Sequence, residues 1–196
     1  MNKAEMRGAM RRFLGAMSDD ELADRSAKVA RRLEESGAWI WMDILLSFLS
    51  MPREIATGGM IRAAREAGRS VAVPRIEAGD IRFLVMPPDS PLPPRDRWGI
   101  PVPDTAWPAL EPARAGRILV AAPGLAFDRK GNRLGRGKGY YDRFLSRARE
   151  SGAHCLVIGI CFSEQLVEEV PHTETDQPVD GVVTEKETLL FDRTGP

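Results

Sequence analysis

The chain has 196 residues, and its 28 basic and 28 acidic side chains leave a formal net charge of zero at pH 7. This balance argues against a general nucleic-acid or membrane-surface binder, because such proteins normally carry an excess of basic residues. Hydrophobic residues make up 43% and charged residues 29% of the chain, which is typical of a soluble globular protein and suits one domain over residues 1–196.

The N-terminal segment predicts a helix and shows no sign of a targeting sequence. MNKAEMRGAMRR lacks the apolar core of a signal peptide, and acids interrupt any transit-peptide pattern. Lys3, Arg7 and Arg11 recur on one face of a helix over residues 2–16. The longest apolar run, near WIWMDILLSFL, is broken by Asp43 and is too short to span a bilayer. We therefore expect a cytoplasmic protein.

Apolar patterns predict alternating helices and strands up to residue 112. Ser18 and Glu21 predict a capping box at the start of a helix that ends near Glu35. The elements that follow are a buried strand at 44–49, a helix from Thr57 to about Gly68, and strands at SVAVP and IRFLVM. Residues 87–112 are rich in proline and lack periodicity, which predicts a long ordered excursion within the domain.

RILVAAP predicts a short apolar strand that leads directly into a glycine-rich basic segment. An amphipathic helix then ends near Gly152, and its apolar positions are Tyr141, Phe144, Leu145 and Ala148. CLVIGIC predicts a strand, SEQLVEEV a short helix and DGVVTE the last strand. Strands that alternate with helices, several of them uniformly apolar, predict an α/β sandwich with a mostly parallel sheet.

The glycine-rich segment, DRKGNRLGRGKGYYDR over residues 128–143, places four glycines among six cations. Because it follows a strand and precedes a helix, we expect it at the carboxyl edge of the sheet, where open α/β sheets bind ligands. Glycine amides can approach a phosphate closely, the helix dipole favours negative charge, and Arg133, Arg136 and Lys138 supply further donors. The segment therefore predicts a polyphosphate site.

Neither of two well-known phosphate loops matches this segment. A P-loop would need Gly at position 132 and Ser or Thr at 139, and a dinucleotide fingerprint would need Gly or Ala at 140, but the chain has Asn132, Gly139 and Tyr140. A solvated surface turn is the alternative, although two adjacent tyrosines argue against it. Asp142 is equally consistent with a magnesium ligand and with a first-turn acid that complements the helix dipole.

PGLAFDRKGNRLGRGKGYYDRFL resembles the signature of the 5-formyltetrahydrofolate cyclo-ligase family. Similar segments occur in order along the chain, namely FLSMPREIAT, VAVPR, WGIP and TDQPVDGVVTE, whereas Val102 stands where many members carry Glu or Gln. The resemblance implies ATP-dependent conversion of 5-formyltetrahydrofolate to 5,10-methenyltetrahydrofolate, with Mg²⁺ and with release of ADP and phosphate. It also implies a three-layer α/β/α sandwich with a mixed, mostly parallel sheet, related to the folds of sugar-phosphate isomerases and acyl-CoA transferases.

The resemblance further implies roles for individual residues. Arg136 and Lys138 would be catalytic, and Asp142 and Asp176 would hold Mg²⁺. The implied ATP contacts are Lys3, Arg7, Arg133, Leu134, Gly135, Arg136, Gly137, Lys138, Gly139, Tyr140 and Tyr141. The implied folate contacts are Leu49, Glu54, Arg136, Gly137, Lys138, Gly139 and Tyr140. Read on their own, Leu49 could be an ordinary core residue and Glu54 a surface acid at a strand end.

The implied reaction needs positioning and charge neutralisation more than it needs a reactive side chain. In the family mechanism the formyl oxygen attacks the γ-phosphoryl group, N10 of the folate closes the ring, and phosphate leaves. This agrees with the scarcity of histidine, since only His154 and His172 could serve a Ser-His relay.

Two other functions remain open. Related α/β folds host isomerases and CoA transferases, which would need no ATP. The basic segment with its tyrosines could instead belong to an RNA- or nucleotide-binding α/β module without ligase activity. We expect only small-molecule substrates, ATP and 5-formyltetrahydrofolate, and a monomer without nucleic-acid or membrane partners.

Overall fold

A mixed sheet forms the middle layer of the structure, a computed structural model that describes residues 1–191. The strands within those residues are β1 (Ile44–Ser47), β2 (Ser70–Glu77), β3 (Asp80–Val85), β4 (Arg117–Pro123), β5 (Ala126–Phe127), β6 (Arg133–Leu134), β7 (His154–Ile160), β8 (Gly181–Val183) and β9 (Thr188–Leu190). The order across the sheet is β3-β2-β1-β4-β7-β8-β9, while β5 and β6 form a separate hairpin. Neighbouring strands from β2 to β8 are parallel, and the edge strands β3 and β9 are antiparallel.

Helices cover both faces of the sheet, which explains why its central strands are uniformly apolar. The helices are α1 (Lys3–Ala16), α2 (Asp19–Glu34), α3 (Gly37–Trp41), α4 (Gly58–Glu66) and α5 (Tyr140–Glu150). On β1, Leu45 belongs to the core cluster built with α1, α2 and α4, whereas Ile44 and Leu46 belong to the cluster that contains Phe144 and Leu145 of α5. Because side chains alternate between the two faces of a strand, the sheet lies between two helical layers. The predicted three-layer sandwich with a mixed, mostly parallel sheet is confirmed.

Both of the first two helices begin at a capping residue, but the complete capping box forms at α1 and not at α2, where it was predicted. Asn2 and Glu5 form the complete capping box at α1, because each side chain accepts a hydrogen bond from the backbone of the other. Ser18 caps α2 by accepting from the amide of Glu21 at 3.1 Å, but the Glu21 carboxylate faces Arg25 and makes no return bond within residues 1–191. Only half of the capping box predicted at Ser18 is therefore formed.

Two predictions for the C-terminal part were wrong. SEQLVEEV is not a helix beyond a single 3-10 turn at Ser163–Gln165. The helix does not continue past this turn because the Gln165 side chain donates to the carbonyls of Gly124 and Leu125, and the amide of Val167 donates to the carbonyl of Phe127. DGVVTE contains β8, but it is not the last strand, since β9 follows and covers the edge of β8.

The proline-rich excursion is ordered and folds back over the sheet edge. Its end pairs with β3, where the amide of Leu110 donates to Phe83 at 2.8 Å. Its middle is tied down by Arg95, whose Nη1 donates to the carbonyls of Ser50 at 2.8 Å and Gly99 at 2.7 Å. This arrangement places residues 100–103 beside the carboxyl end of β1. No helix within residues 1–191 combines the length and the apolar character needed to cross a membrane.

Candidate active site

A cleft of about 1120 Å³ opens where β1 and β4 end. Its walls come from α1, from the segment after β1, from the glycine-rich segment and from residues 173–177. Every residue for which the sequence predicted a role lines this cleft: Lys3, Arg7, Leu49, Glu54, Asp176 and the run from Arg133 to Asp142. The carboxyl ends of parallel strands are the usual ligand edge of an open α/β sheet, so the cleft lies where the fold places a site.

The first part of the glycine-rich segment, residues 128–132, forms the turn between β5 and β6 and does not line the cleft. Asp128 is fully buried, and its carboxylate accepts hydrogen bonds from the amides of Lys130, Asn132 and Val170 and from the Asn132 side chain. This carboxylate closes the turn between β5 and β6 and ties it to the segment before residue 173. Arg129 pairs with Glu187, 2.8 Å away. Arg129 and Lys130 therefore lie outside the cleft, and the cations of this segment that line it are Arg133, Arg136, Lys138 and Arg143.

Arg133 is a buried cation that holds Asp142. Its side chain is 4% exposed, its Nη2 lies 2.6 Å from Oδ1 of Asp142, and its Nη1 donates to the carbonyl of Pro123 at 3.3 Å. The guanidinium carbon lies 5.8 Å from the ring centre of Tyr141. Oδ1 of Asp142 also accepts from the amide of Gln177 at 3.1 Å. Asp142 is therefore part of a hydrogen-bond network with a buried arginine. An acid that only complemented the helix dipole would not need these partners.

Two buried polar groups in this wall of the cleft, Nε of Arg133 and the hydroxyl of Tyr141, have no hydrogen-bond partner within residues 1–191. Burial raises the pKa of the Tyr141 hydroxyl well above its ordinary value, so it remains protonated at neutral pH. Buried polar groups are nearly always satisfied in native proteins. An unpartnered pair beside a cleft indicates donors that a ligand can use.

The glycine-rich loop, residues 135–139, follows the hairpin and leads into α5. Gly137 and Gly139 have φ values of +103° and +66°, a region that side chains with a Cβ rarely adopt. Arg7 of α1 supports this loop by donating from Nε to the carbonyl of Gly135 at 2.9 Å. Lys138 is exposed at the cleft and has no ion-pair partner among the residues that the structure describes. The loop thus offers bare backbone and an unneutralised cation at a helix N-terminus.

Glu54 reaches the glycine-rich loop from the opposite wall. Its Oε1 accepts from Nε of Arg136 at 2.8 Å and also from Nη2, and its Oε2 accepts from the amide of Met51 at 2.8 Å. The Glu54 side chain is only 15% exposed, which does not fit a solvated surface acid. Leu49, on the same wall, both lines the cleft and packs partly buried against the core.

Asp176 closes the end of the cleft nearest α1. Its Oδ2 lies 2.5 Å from Nζ of Lys3 and accepts from the amide of Thr173 at 2.7 Å. Partial burial opposes ionisation of this carboxyl group, but the hydrogen bonds from Lys3 and Thr173 prevail and lower its pKa below the ordinary value. Asp176 is therefore charged at neutral pH.

The two candidate metal ligands fit a magnesium ion that is bound together with a phosphate. Each carboxylate uses one oxygen in its ion pair, and within residues 1–191 no hydrogen bond reaches Oδ2 of Asp142 or Oδ1 of Asp176. No group of three or more His, Cys, Asp or Glu side chains in that part of the chain could hold a metal by itself. Mg²⁺ usually takes one or two carboxylates and completes its shell with phosphate oxygens and water, so this donor set suits it.

The sequence reading missed several residues that shape the cleft. Thr173 and Gln177 position the two carboxylates through their backbone amides, and Ile100 and Val102 form a half-exposed apolar rim. A signal for Thr173 was present, because Thr-x-x-Asp is the spacing of a side-chain-capped turn. The sequence marked Val102 only as a departure from the family pattern and gave Ile100 no role; both reach the cleft because the excursion folds back.

Comparison with known protein families gives one clear result. Residues 1–185 match the model of the 5-formyltetrahydrofolate cyclo-ligase family. A protein of Caenorhabditis elegans described as a probable 5-formyltetrahydrofolate cyclo-ligase is 34% identical, over 97% of this chain and 96% of its own length. The 5-formyltetrahydrofolate cyclo-ligase of Mus musculus is 30% identical, over 93% of each chain.

A solved structure supports the same relationship. The solution structure of 5,10-methenyltetrahydrofolate synthetase from Aquifex aeolicus superposes with a TM-score of 0.82 at 27% sequence identity, covering 100% of this chain and 95% of the other. The likeness therefore extends over the whole length of the chain.

Proposed function

The chain belongs to the 5-formyltetrahydrofolate cyclo-ligase family, and we propose that the cleft at the ends of β1 and β4 is its active site. The enzyme is an ATP-dependent ligase that cyclises 5-formyltetrahydrofolate to 5,10-methenyltetrahydrofolate. One observation carries the assignment of the site: residues from four separate segments, each with a role implied by the family resemblance, line a single cleft. Family membership does not favour an RNA- or nucleotide-binding module without ligase activity.

The triphosphate of ATP lies along the glycine-rich loop in this proposal. The amides of residues 135–139, the N-terminus of α5 and the free ammonium group of Lys138 surround the same part of the cleft. From α1, Arg7 contacts this loop and Lys3 lines the same cleft. Together these groups neutralise charge on a transferring phosphoryl group, which is where most catalysis of phosphoryl transfer originates. Arg133 contributes its unpartnered Nε and its hold on Asp142.

The folate lies against the opposite wall, beside Leu49 and Glu54. Its formyl oxygen attacks the γ-phosphorus and ADP leaves. N10 then attacks the formyl carbon and loses its proton, and the C–O bond to phosphate breaks as the ring closes. Both nucleophiles belong to the substrate, so the protein must orient two ligands and exclude water. Arg136 stands between the two ligands and is held there by Glu54.

Magnesium, held by Asp142 and Asp176, would supply charge neutralisation to the phosphates when it is bound. Arg133 holds the first of these carboxylates and Thr173 the second, so both are oriented before any ligand arrives. We also propose that the enzyme is cytoplasmic and monomeric and acts on small molecules alone. The zero net charge supports the last of these, because nucleic-acid binders normally carry a basic excess.

The function is tested by one spectrophotometric assay of the purified protein. 5-Formyltetrahydrofolate is supplied with and without ATP and Mg²⁺, and the appearance of the methenyl product is followed together with ADP. We expect product only when ATP is present, with one ADP per ring closed. A folded protein that forms no methenyl product under these conditions would contradict the assignment, and product formed without ADP would contradict the proposed use of ATP.

A further inference from the structure

Each of the two carboxylates proposed to hold Mg²⁺ is already paired with a cation of this chain. Nη2 of Arg133 lies 2.6 Å from Asp142, and Nζ of Lys3 lies 2.5 Å from Asp176. Both pairs line the same cleft. A divalent cation that enters between them would meet two positive charges at close range, and such repulsion is strong wherever water is partly excluded. At least one of the two resident cations must therefore give way.

Arg133 is poorly placed to move. Its side chain is 4% exposed, its Nη1 donates to the carbonyl of Pro123, and its stem would crowd a side chain at Gly124. Breaking its pair with Asp142 would leave a buried charge uncompensated, which is strongly destabilising. Arg133 is thus a permanent counter-ion of Asp142.

Lys3 is in a different position. Its side chain is 29% exposed, and it projects from the first turn of α1 on a flexible stem that ends in a compact, rotatable ammonium group. Asp176 does not depend on Lys3 for its orientation, because the amide and hydroxyl of Thr173 donate to the same carboxylate at 2.7 and 3.1 Å. Lys3 can leave without disturbing the ligand it uncovers.

We propose that Lys3 is a replaceable counter-ion of Asp176, which it neutralises until a nucleoside triphosphate arrives with its divalent metal and then leaves for the phosphates. The inference rests on the proposed roles of Asp142, Asp176 and the glycine-rich loop. A metal ion alone must displace Lys3 from its one ion-pair partner within residues 1–191, whereas a metal with a triphosphate brings a new anion for it. Metal and nucleotide therefore bind with positive coupling, and the coupling is reciprocal.

The test measures binding, not turnover. Mn²⁺, which can be followed by electron paramagnetic resonance, is titrated into the wild type and into Lys3→Met, with and without a non-hydrolysable ATP analogue. Without nucleotide, Lys3→Met is expected to bind Mn²⁺ roughly tenfold more tightly than the wild type, and its coupling between Mn²⁺ and the analogue should fall by a similar factor. Lys28→Met is the matched control, because Lys28 pairs with Asp24 at 2.6 Å outside the cleft. It should behave as the wild type.

Unchanged or weaker Mn²⁺ binding by Lys3→Met, or coupling equal to that of the wild type, would overturn the inference. Lys3→Gln is measured in parallel, and circular dichroism must match the wild type for at least one of the two variants; loss of folding in both would also overturn it, since Lys3 would then be structural. Asp176→Asn distinguishes an error in the proposed metal site from an error in the proposed role of Lys3. If that variant keeps full Mn²⁺ binding with the analogue, the proposed metal site itself is wrong. If it loses binding while Lys3→Met changes nothing, only the role of Lys3 is wrong.

Discussion

Glu54 and Arg136, 82 positions apart in the chain, form an ion pair that joins the two walls of the cleft. Oε1 of Glu54 accepts from both Nε and Nη2 of Arg136, while its other oxygen accepts from the amide of Met51. Such a forked arrangement fixes the plane of the guanidinium group. The pair therefore places Arg136 between the proposed nucleotide and folate positions.

Glu54→Gln should disturb the site through Arg136 as well as through the folate. We expect the KM for 5-formyltetrahydrofolate to rise by roughly tenfold or more, with a smaller fall in kcat, because the amide cannot hold the guanidinium group as a carboxylate does. A double-mutant cycle with Arg136→Gln measures how far the effect of Glu54 on the KM depends on Arg136. Effects of the two substitutions that simply add would show that Glu54 acts on the folate alone.

Lys138→Ala should reduce turnover by one to three orders of magnitude, or roughly 1.4–4 kcal/mol of transition-state stabilisation. The thermal midpoint should not change, because the side chain is exposed and unpaired within residues 1–191. Lys130→Ala is the matched control, since Lys130 belongs to the same segment but faces Glu169 outside the cleft. Steady-state kinetics on both variants test this prediction. An equal loss of turnover in the two variants would contradict a catalytic role for Lys138.

Asp142→Asn is expected to affect both metal dependence and stability. The substitution lowers the charge available to Mg²⁺ and also leaves the buried Arg133 without its counter-ion, which costs about 3–5 kcal/mol when a pair of this kind is broken. A magnesium titration of activity and a thermal melt report the two effects separately. Asp176→Asn should shift the magnesium titration but destabilise far less, because the Lys3 side chain it pairs with is partly exposed. Equal destabilisation in both variants would show that the buried Arg133–Asp142 pair contributes no more to stability than the partly exposed Lys3–Asp176 pair.

Tyr141→Phe removes a buried hydroxyl that has no partner within residues 1–191. The ligand-free protein should be as stable as the wild type or slightly more so, because no hydrogen bond is lost and an unsatisfied polar group is deleted. Affinity for ATP or for the folate should fall, and calorimetric titration with each ligand identifies which one the hydroxyl serves. A clear drop in the melting temperature without ligand would indicate a structural role instead.

Several features of this protein could be predicted because they depend on neighbouring residues. RILVAAP coincides with β4, and the predicted helix over residues 2–16 forms α1, since apolar periodicity and caps act over one or two turns. The glycine-rich loop is also local, because positive φ values at Gly137 and Gly139 require glycine whatever surrounds them.

The remaining features depend on contacts between distant parts of the chain. SEQLVEEV has the composition of a helix. It does not form one, because Gln165 binds the carbonyls of Gly124 and Leu125, between β4 and β5, and the amide of Val167 binds the carbonyl of Phe127 in β5. The ion pairs of Lys3 with Asp176 and of Glu54 with Arg136 span 173 and 82 positions. A charged side chain in a sequence shows only that a partner is needed. Which partner it meets is decided by the order of strands in the sheet, and that order is set by burial of both faces of the core.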